Sequence, residues 1–359
     1  MSNPLLINLA VLFDKPTGIA NYAQNVITSL DSLNPILLST QTFPGFEHYQ
    51  INHQMSPAQG TKGHLRRLLW TQFQLPQIYR QLNADLIYSP IPEAPLYSHT
   101  RYIVMAHDLI PLRFPRRTSP LTNYFRYVVP KVLHQAEHII CNSQATARDL
   151  SDYYGVAANK ITPILLGYDK SHFYPRKATP NLQPPYFLYL GRQDPYKNLQ
   201  GLISAFAALT NQDYHLAIAG STDPRFAPQL QQQAAELGIN SRIRWLDYLS
   251  YQDLPDIISN ALALVLPTFW EGFGLPVLEA MACGTPVITS NLASLPEITG
   301  DAAILIDPYN RAAITDAMVN LIQDAQMRSQ LSQRGIKQAQ KFSWVKTGDA
   351  TREVLQQYL

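Results

Sequence analysis

Two carboxylates, Glu271 and Glu279, stand either side of a glycine-bearing loop in the stretch P-T-F-W-E-G-F-G-L-P-V-L-E-A-M-A-C-G-T-P, residues 267–286. Carboxylates accept hydrogen bonds from vicinal hydroxyls, which sugars carry in abundance. Glu271-Gly272-Phe273-Gly274 lets backbone amides face a ligand without Cβ interference, and Pro276 suits the first position of a helix that Gly284 ends. Free amides at a helix start carry partial positive charge, so the natural guest is an anion, most simply a phosphate. Together these are the parts of a sugar and ribose clamp. The same residues also read as a loop glutamate on a solvated surface and a helix glutamate near its favourable dipole end.

The other candidate groups also follow strand-like runs. Gly191-Arg192 and Lys197 lie in G-R-Q-D-P-Y-K-N-L, just ahead of a helix. A guanidinium fork gives geometry and a mobile ammonium gives a point charge, a pairing suited to a diphosphate; exposed loop cations are also commonly just solvated. His107-Asp108 closes the run R-Y-I-V-M-A, where an imidazole is placed either to bond a sugar hydroxyl or shuttle a proton, or to be satisfied by its neighbouring aspartate. Thr17-Gly18-Ile19-Ala20-Asn21 opens a helix, but one glycine is a poor dinucleotide fingerprint, so NAD is not expected. Neither an Asp-x-Asp triplet nor a His/Cys/Asp cluster at ligand spacing occurs, which predicts no metal site. Hydrolase Gly-x-Ser-x-Gly and Walker sequences are absent as well.

These groups need scaffolding. A chain of 359 residues is long for one core and comfortable for two domains. Its 28 basic and 26 acidic residues leave a net charge of +2, which argues against nucleic acid as a partner. Cys141 and Cys283 read as buried thiols of a reducing compartment, and the apolar opening 5–13 as a buried strand rather than a signal. A cytoplasmic protein is expected. Strand-like runs at 5–13, 86–88, 102–106, 138–142 and 161–166 alternate with helical stretches at 19–30, 65–82 and 144–154. After a proline-rich interval, 174–185, the alternation restarts with strands at 186–190, 214–219, 242–246, 262–266, 287–289 and 303–306, and helices at 199–209, 228–237 and 253–259. Two doubly wound α/β units follow, with ligands beyond the carboxyl ends of their strands. The expected domains are 1–173, 174–343 and a final helix, 344–359, crossing back to the first unit, with Trp344 either pinning that crossing or simply buried.

With these motifs the chain resembles the retaining nucleotide-sugar glycosyltransferases built from two facing Rossmann-like domains, GT-B, and in particular glycosyltransferase family 4. The likeness is most specific over residues 186–308. It implies Glu271 near the donor sugar and Glu279 on the ribose, as the family's Glu-x7-Glu pair. Gly191, Arg192 and Lys197 match its diphosphate loop, and Phe273, Gly274 and Leu275 its backbone contacts, with Gly18 the corresponding glycine of the first unit. His107 is placed beside the transferred sugar and Ser143 at the cleft edge. The segments T-G-I-A-N-Y, A-H-D-L and L-R-R-L-L-W-T-Q are similar to bacterial mannosyltransferases of surface-polysaccharide assembly. The resemblance thus implies a mannosyl donor such as GDP-mannose, a saccharide or lipid-linked acceptor, no further cofactor, and front-face substitution with the domains closing about the linker. Asn21, Leu166-Gly167-Tyr168-Asp169 and Asp247 depart from the family pattern, leaving acceptor and base contacts open. A nucleotide-sugar 2-epimerase and a non-catalytic nucleotide-sugar binding protein are the rival readings. Two stretches, 62–80 and 113–131, interleave basic and aromatic residues; they read either as contact with the inner membrane face or, through Leu65, Leu68, Leu69 and Trp70, as a core-facing stripe.

Overall fold

Short apolar runs, most of them buried on both faces, form two all-parallel sheets in the computed structural model of the chain, which describes residues 3–12, 18–52, 55, 60–116, 119–176 and 185–359. Two compact units result: residues 1–167 with 344–359, and residues 168–343. Most of the 174–185 linker, together with Phe13, Thr17 and Arg117, lies outside the described residues.

The first unit contains β1 (Leu5–Asn8), α1 (Gly18–Ile27), β2 (Ile36–Ser39), β3 (Glu47–Gln50), α2 (Gly60–Phe73), α3 (Leu75–Gln81), β4 (Leu86–Ser89), β5 (Tyr102–Ala106), α4 (Ile110–Arg113), α5 (Pro120–Tyr127), α6 (Val129–Gln135), β6 (His138–Cys141), α7 (Gln144–Tyr154) and β7 (Ile161–Pro163). Its sheet runs β3-β2-β1-β4-β5-β6-β7, so the strand order reverses between β1 and β4. The second unit contains β8 (Tyr186–Leu190), α8 (Leu199–Ala207), β9 (His215–Ala219), α9 (Ala227–Glu236), β10 (Ile243–Leu246), α10 (Leu254–Ser259), β11 (Ala263–Leu266), α11 (Leu275–Ala282), β12 (Val287–Ser290), α12 (Leu295–Thr299), β13 (Ile304–Ile306), α13 (Arg311–Gln323) and α14 (Ala325–Ala339). Its order, β10-β9-β8-β11-β12-β13, reverses between β8 and β11. At such reversals the neighbouring loops turn away on opposite faces and open a crevice beyond the strand ends. The fold class is the one expected, two doubly wound parallel units.

Local chemistry sets the boundaries. Helix α7 starts where Ser143 Oγ accepts from Thr146 N at 3.1 Å and stops at Gly155, φ 66°. The expected helix 65–82 is two helices, α2 and α3, because Pro76 has no N–H to continue the first ladder. The expected strand 5–13 ends at Asn8, and the sheet contains two strands beyond those expected, β2 and the polar edge strand β3. The last helix, α15 (Trp344–Gln356), completes the first unit. Its Thr347 Oγ1 donates to Leu165 O at 2.8 Å, and Gly348 leaves the space taken by the Ser29 side chain.

Candidate functional site

In the second unit the loop after β8 is tied to the loops beside it. Asn198, held at φ 57°, donates from Nδ2 to the carbonyls of Pro267 at 3.0 Å and Pro308 at 2.8 Å, joining the loops that follow β8, β11 and β13. Gly201 makes this possible, since a Cβ there would collide with the Asn198 side chain. Thr268 Oγ1 and Phe269 N both reach Tyr196 O, at 3.1 and 2.8 Å. Lys197 is therefore fixed against the next loop, with Nζ 2.5 Å from Glu271 Oε1 and side-chain exposures of only 12% and 10%. Burial alone would lower the Lys197 pKa; the Glu271 charge and hydrogen bond outweigh it and the net shift is upward, so the ammonium stays charged.

Arg192 joins the same group. Its Nη2 donates to Tyr196 Oη at 3.0 Å and its Nε pairs with Asp194 at 3.0 Å, while the side chain is 72% exposed. Tyr189, fully buried, donates to the Arg192 carbonyl at 2.5 Å. Gly220, at the end of β9, has room only for hydrogen, because a Cβ would strike the Gly191 carbonyl oxygen. Its N–H donates to Leu246 O at 3.2 Å, which brings the ends of β8, β9 and β10 into register.

The Glu271 turn is tied from behind by Ser294, whose hydroxyl lies 3.0 Å from Glu271 O and 2.7 Å from Phe273 O. Gly274, φ 105°, then starts α11 in a conformation that side chains resist. The amides of Phe273, Gly274 and Leu275 meet no acceptor among the described residues, leaving three donors at a helix start beside Lys197's partner. Glu279 is half-buried farther along α11, its carboxyl group without a hydrogen bond or ion pair among the described residues, and burial pushes that group up to about 7. Thus Gly191, Arg192, Lys197, Glu271, Phe273, Gly274 and Leu275 belong to one assembly of loops, whereas Glu279 shares its helix without touching the charged group. Among the described residues no group of three or more His, Cys, Asp or Glu is placed to hold a metal ion.

In the first unit, Gly18 is the exposed first residue of α1. His107 is half-buried, its Nε2 2.9 Å from Pro90 O. A carbonyl only accepts, so Nε2 carries the proton and Nδ1 keeps its lone pair. The partner is Pro90, not Asp108, whose Oδ1 instead accepts from Ile110 N at 3.0 Å. Burial lowers the His107 pKa to about 4 against the smaller opposing effect of the Pro90 bond, which favours the neutral ring near pH 7. Ser143 is fully buried as the cap of α7. The basic stretch 62–80 divides: Trp70 and Leu68 pack inward, whereas Leu65, Leu69 and Phe73 are 56%, 50% and 66% exposed.

Asp194, Tyr196 and Asn198 lie inside the motif already singled out, and their signal was their spacing around Lys197. Gly220 and Ser294 carry no local signal, because each acts on a loop distant in sequence.

The family described as Glycosyltransferase Family 4 matches residues 16–172 and that described as Glycosyl transferases group 1 matches residues 171–338. The O-antigen chain mannosyltransferase B of Escherichia coli is 32% identical over 259 residues, covering 68% of this chain and 67% of that protein. The O-antigen chain mannosyltransferase RfbU of Salmonella typhimurium is 27% identical over 330 residues, 89% of this chain and 91% of that one. Among solved structures, a sucrose-phosphate synthase of Thermosynechococcus elongatus superposes with a TM-score of 0.78 at 19% identity over 99% of both chains. Anabaena HepE in complex with UDP-glucose does so with 0.78 at 18% identity, again over 99% of both chains. At such identities these two likenesses concern the fold.

Proposed function

The chain belongs to glycosyltransferase family 4, and from that premise we propose that it is a retaining, metal-independent hexosyltransferase. It moves a mannosyl unit from a nucleoside-diphosphate donor such as GDP-mannose to a saccharide acceptor in polysaccharide synthesis. The observation that carries this reading is the convergence of the Lys197 ammonium, the Glu271 carboxylate and the unspent amides of Phe273, Gly274 and Leu275 on one turn. Lys197 has three protons and Glu271 takes one, so two remain for phosphate oxygens. Arg192 and the helix-start amides supply the rest of the positive potential that a metal ion would otherwise provide as the diphosphate leaves. Glu271 orients the sugar and stabilises charge at the anomeric carbon. Glu279 takes the ribose hydroxyls, and neutral His107 offers Nδ1 to a sugar hydroxyl. In a front-face substitution the bond from anomeric carbon to diphosphate breaks, the acceptor oxygen bonds to the same face, and the leaving phosphate oxygen takes the acceptor proton. The test is incubation with GDP-mannose and oligosaccharide acceptors in chelator, with the linkage configuration read by NMR. An inverted linkage, or turnover that requires added divalent cation, would contradict it; isomerised donor without acceptor would mark an epimerase.

The same proposal includes a lipid-linked acceptor met at an anionic membrane surface, with the protein cytoplasmic. Among the described residues no helix is long and apolar enough to cross a membrane. The outward face of α2 carries Lys62, Leu65, Arg66, Leu69 and Phe73, at helical spacing and all exposed. Neighbouring α5, whose Tyr124 packs edge-on to His64 of α2, exposes Leu121, Arg126 and Tyr127. From residue 48 to residue 136 the only acidic residues are Asp85, Glu93 and Asp108, so little opposes an anionic surface. Leu69→Glu with Phe73→Glu should abolish cosedimentation with phosphatidylglycerol vesicles while leaving transfer to a water-soluble acceptor intact.

A further inference from the structure

The inner face of α2 reaches His107 by a chain of short polar contacts. Arg67 is buried, and its Nε and Nη2 each lie 2.7 Å from a Glu93 oxygen. Glu93 belongs to S-P-I-P-E-A-P, residues 89–95, in which Pro90, Pro92 and Pro95 fix their own φ angles and stiffen the segment. This loop is gripped along its length. Gln72 of α2 donates to Ala94 O and accepts from Leu96 N, both at 2.9 Å, and Tyr124 of α5 donates to Pro92 O at 3.0 Å. Near its start the Pro90 carbonyl accepts a hydrogen bond from His107 Nε2 at 2.9 Å. The ion pair is an inefficient way to stabilise a core: charges this buried lose much of their hydration, and Arg67 Nη1 is buried with no hydrogen-bond partner. Apolar residues of similar volume would serve packing as well or better. What the pair supplies that packing would not is a fixed position for the loop.

We propose that Arg67 and Glu93 are positioning residues for His107, acting through the 90–96 loop to hold the Pro90 carbonyl where it selects one tautomer and one ring orientation. The proposal rests on the reading of His107 as a sugar contact. It follows that the motif L-R-R-L-L-W-T-Q works inward through Arg67 and Gln72, whatever its outer face touches.

The test is the paired variant Arg67→Met/Glu93→Leu, which removes both charges together and leaves no lone buried ion. Tyr124→Phe, which loses only the hydroxyl on Pro92, provides a milder second variant should the first fold poorly. Each is assayed for kcat, donor KM and His107 tautomer by long-range proton–nitrogen NMR. The expected result is a kcat lowered tenfold or more in the paired variant and severalfold in Tyr124→Phe, a donor KM within twofold of wild type, and a His107 ring that exchanges between tautomers. A folded variant with wild-type kcat and the Nε2–H tautomer intact overturns the proposal. Wild-type turnover in His107→Ala would overturn the reading of His107, and this proposal with it, by a result the other variants do not share.

Discussion

Replacing Lys197 by Met tests the proposed donor site most sharply, because the proposal gives the ammonium two separable tasks. It neutralises Glu271, and both side chains are about nine-tenths buried, with exposures of 12% and 10%. Removing one partner of a buried pair costs about 3–5 kcal/mol because the other charge stays behind; some solvent reaches this pair, so the lower end, about 3 kcal/mol, applies. For a unit the size of residues 168–343, each kcal/mol shifts the melting temperature by roughly 2–4 °C, so a drop of about 6–12 °C is expected. In the proposed mechanism the same group faces the leaving diphosphate, where losing one donor should lower kcat by about 100-fold to 1,000-fold. The second substitution, Glu271→Gln, removes the stranded charge. Lys197→Met/Glu271→Gln should therefore recover most of the melting temperature and none of the activity. Thermal unfolding without donor and a nucleotide-release assay with saturating acceptor measure the two effects separately. A single variant that melts as wild type and turns over within threefold of it would refute the reasoning, as would a double variant that regains activity.

Three further outcomes follow. Gly274→Ala adds a Cβ 2.7 Å from Leu295 Cδ2 at φ 105°, so calorimetry should show a loss of about 1–3 kcal/mol, and donor affinity should fall because the helix-start amides are displaced. Burial raises the Glu279 carboxyl from its ordinary 4.5 to about 7, so its protonated form favours folding fully below pH 4.5 and that contribution is lost as pH rises through 7. Relative to Glu279→Gln, unliganded wild type should thus lose stability between pH 5 and 8, by about 3 kcal/mol at most, while its donor affinity rises over the same range because the ionised carboxylate is the better acceptor for ribose hydroxyls. A pH-independent difference in melting temperature between the two proteins would count against this. Burial lowers His107 from 6.5 to about 4, so the stability from its neutral form is present above 6.5 and lost as pH falls toward 4. Wild-type kcat should therefore show no limb near 6.5 belonging to His107; a limb there that vanishes in His107→Ala would refute the assignment.

How much of this is legible in a sequence depends on the range of the interactions involved. Helix α7 falls on the predicted residues because its cap and stop, Ser143 and Gly155, are adjacent to it. Strand β3 escapes detection because Glu47–Gln50 is a polar edge strand with no buried face to alternate. Lys197 and Glu271 are each visible as loop residues of suitable chemistry, but their contact joins positions 74 apart and depends on β8 and β11 being neighbours. Gly220 is silent for the same reason, its need being set by the Gly191 carbonyl on the adjoining strand end. For His107 the sequence offers Asp108 as the natural partner, and only the fold brings in Pro90 from the preceding strand's loop.

Under the proposed function, the Lys197–Glu271 pair would also couple donor binding to sugar orientation. An anion site must hold positive charge while empty, and a buried ammonium without a partner would tend to lose its proton, as burial alone would dictate here. Glu271 prevents this, yet its oxygen is engaged by the group that the diphosphate needs. Under the proposed function, phosphate oxygens that share the ammonium would weaken its hold on Glu271 and free the carboxylate to accept sugar hydroxyls. Because Ser294 anchors the Glu271 carbonyl from behind, the side chain adjusts while the turn stays in place. Phosphate and sugar recognition should accordingly be cooperative through this pair: a nucleoside diphosphate lacking the sugar should bind Glu271→Gln nearly as well as wild type, whereas the complete donor should bind it worse. Equal losses for both ligands would place Glu271 outside the sugar contact.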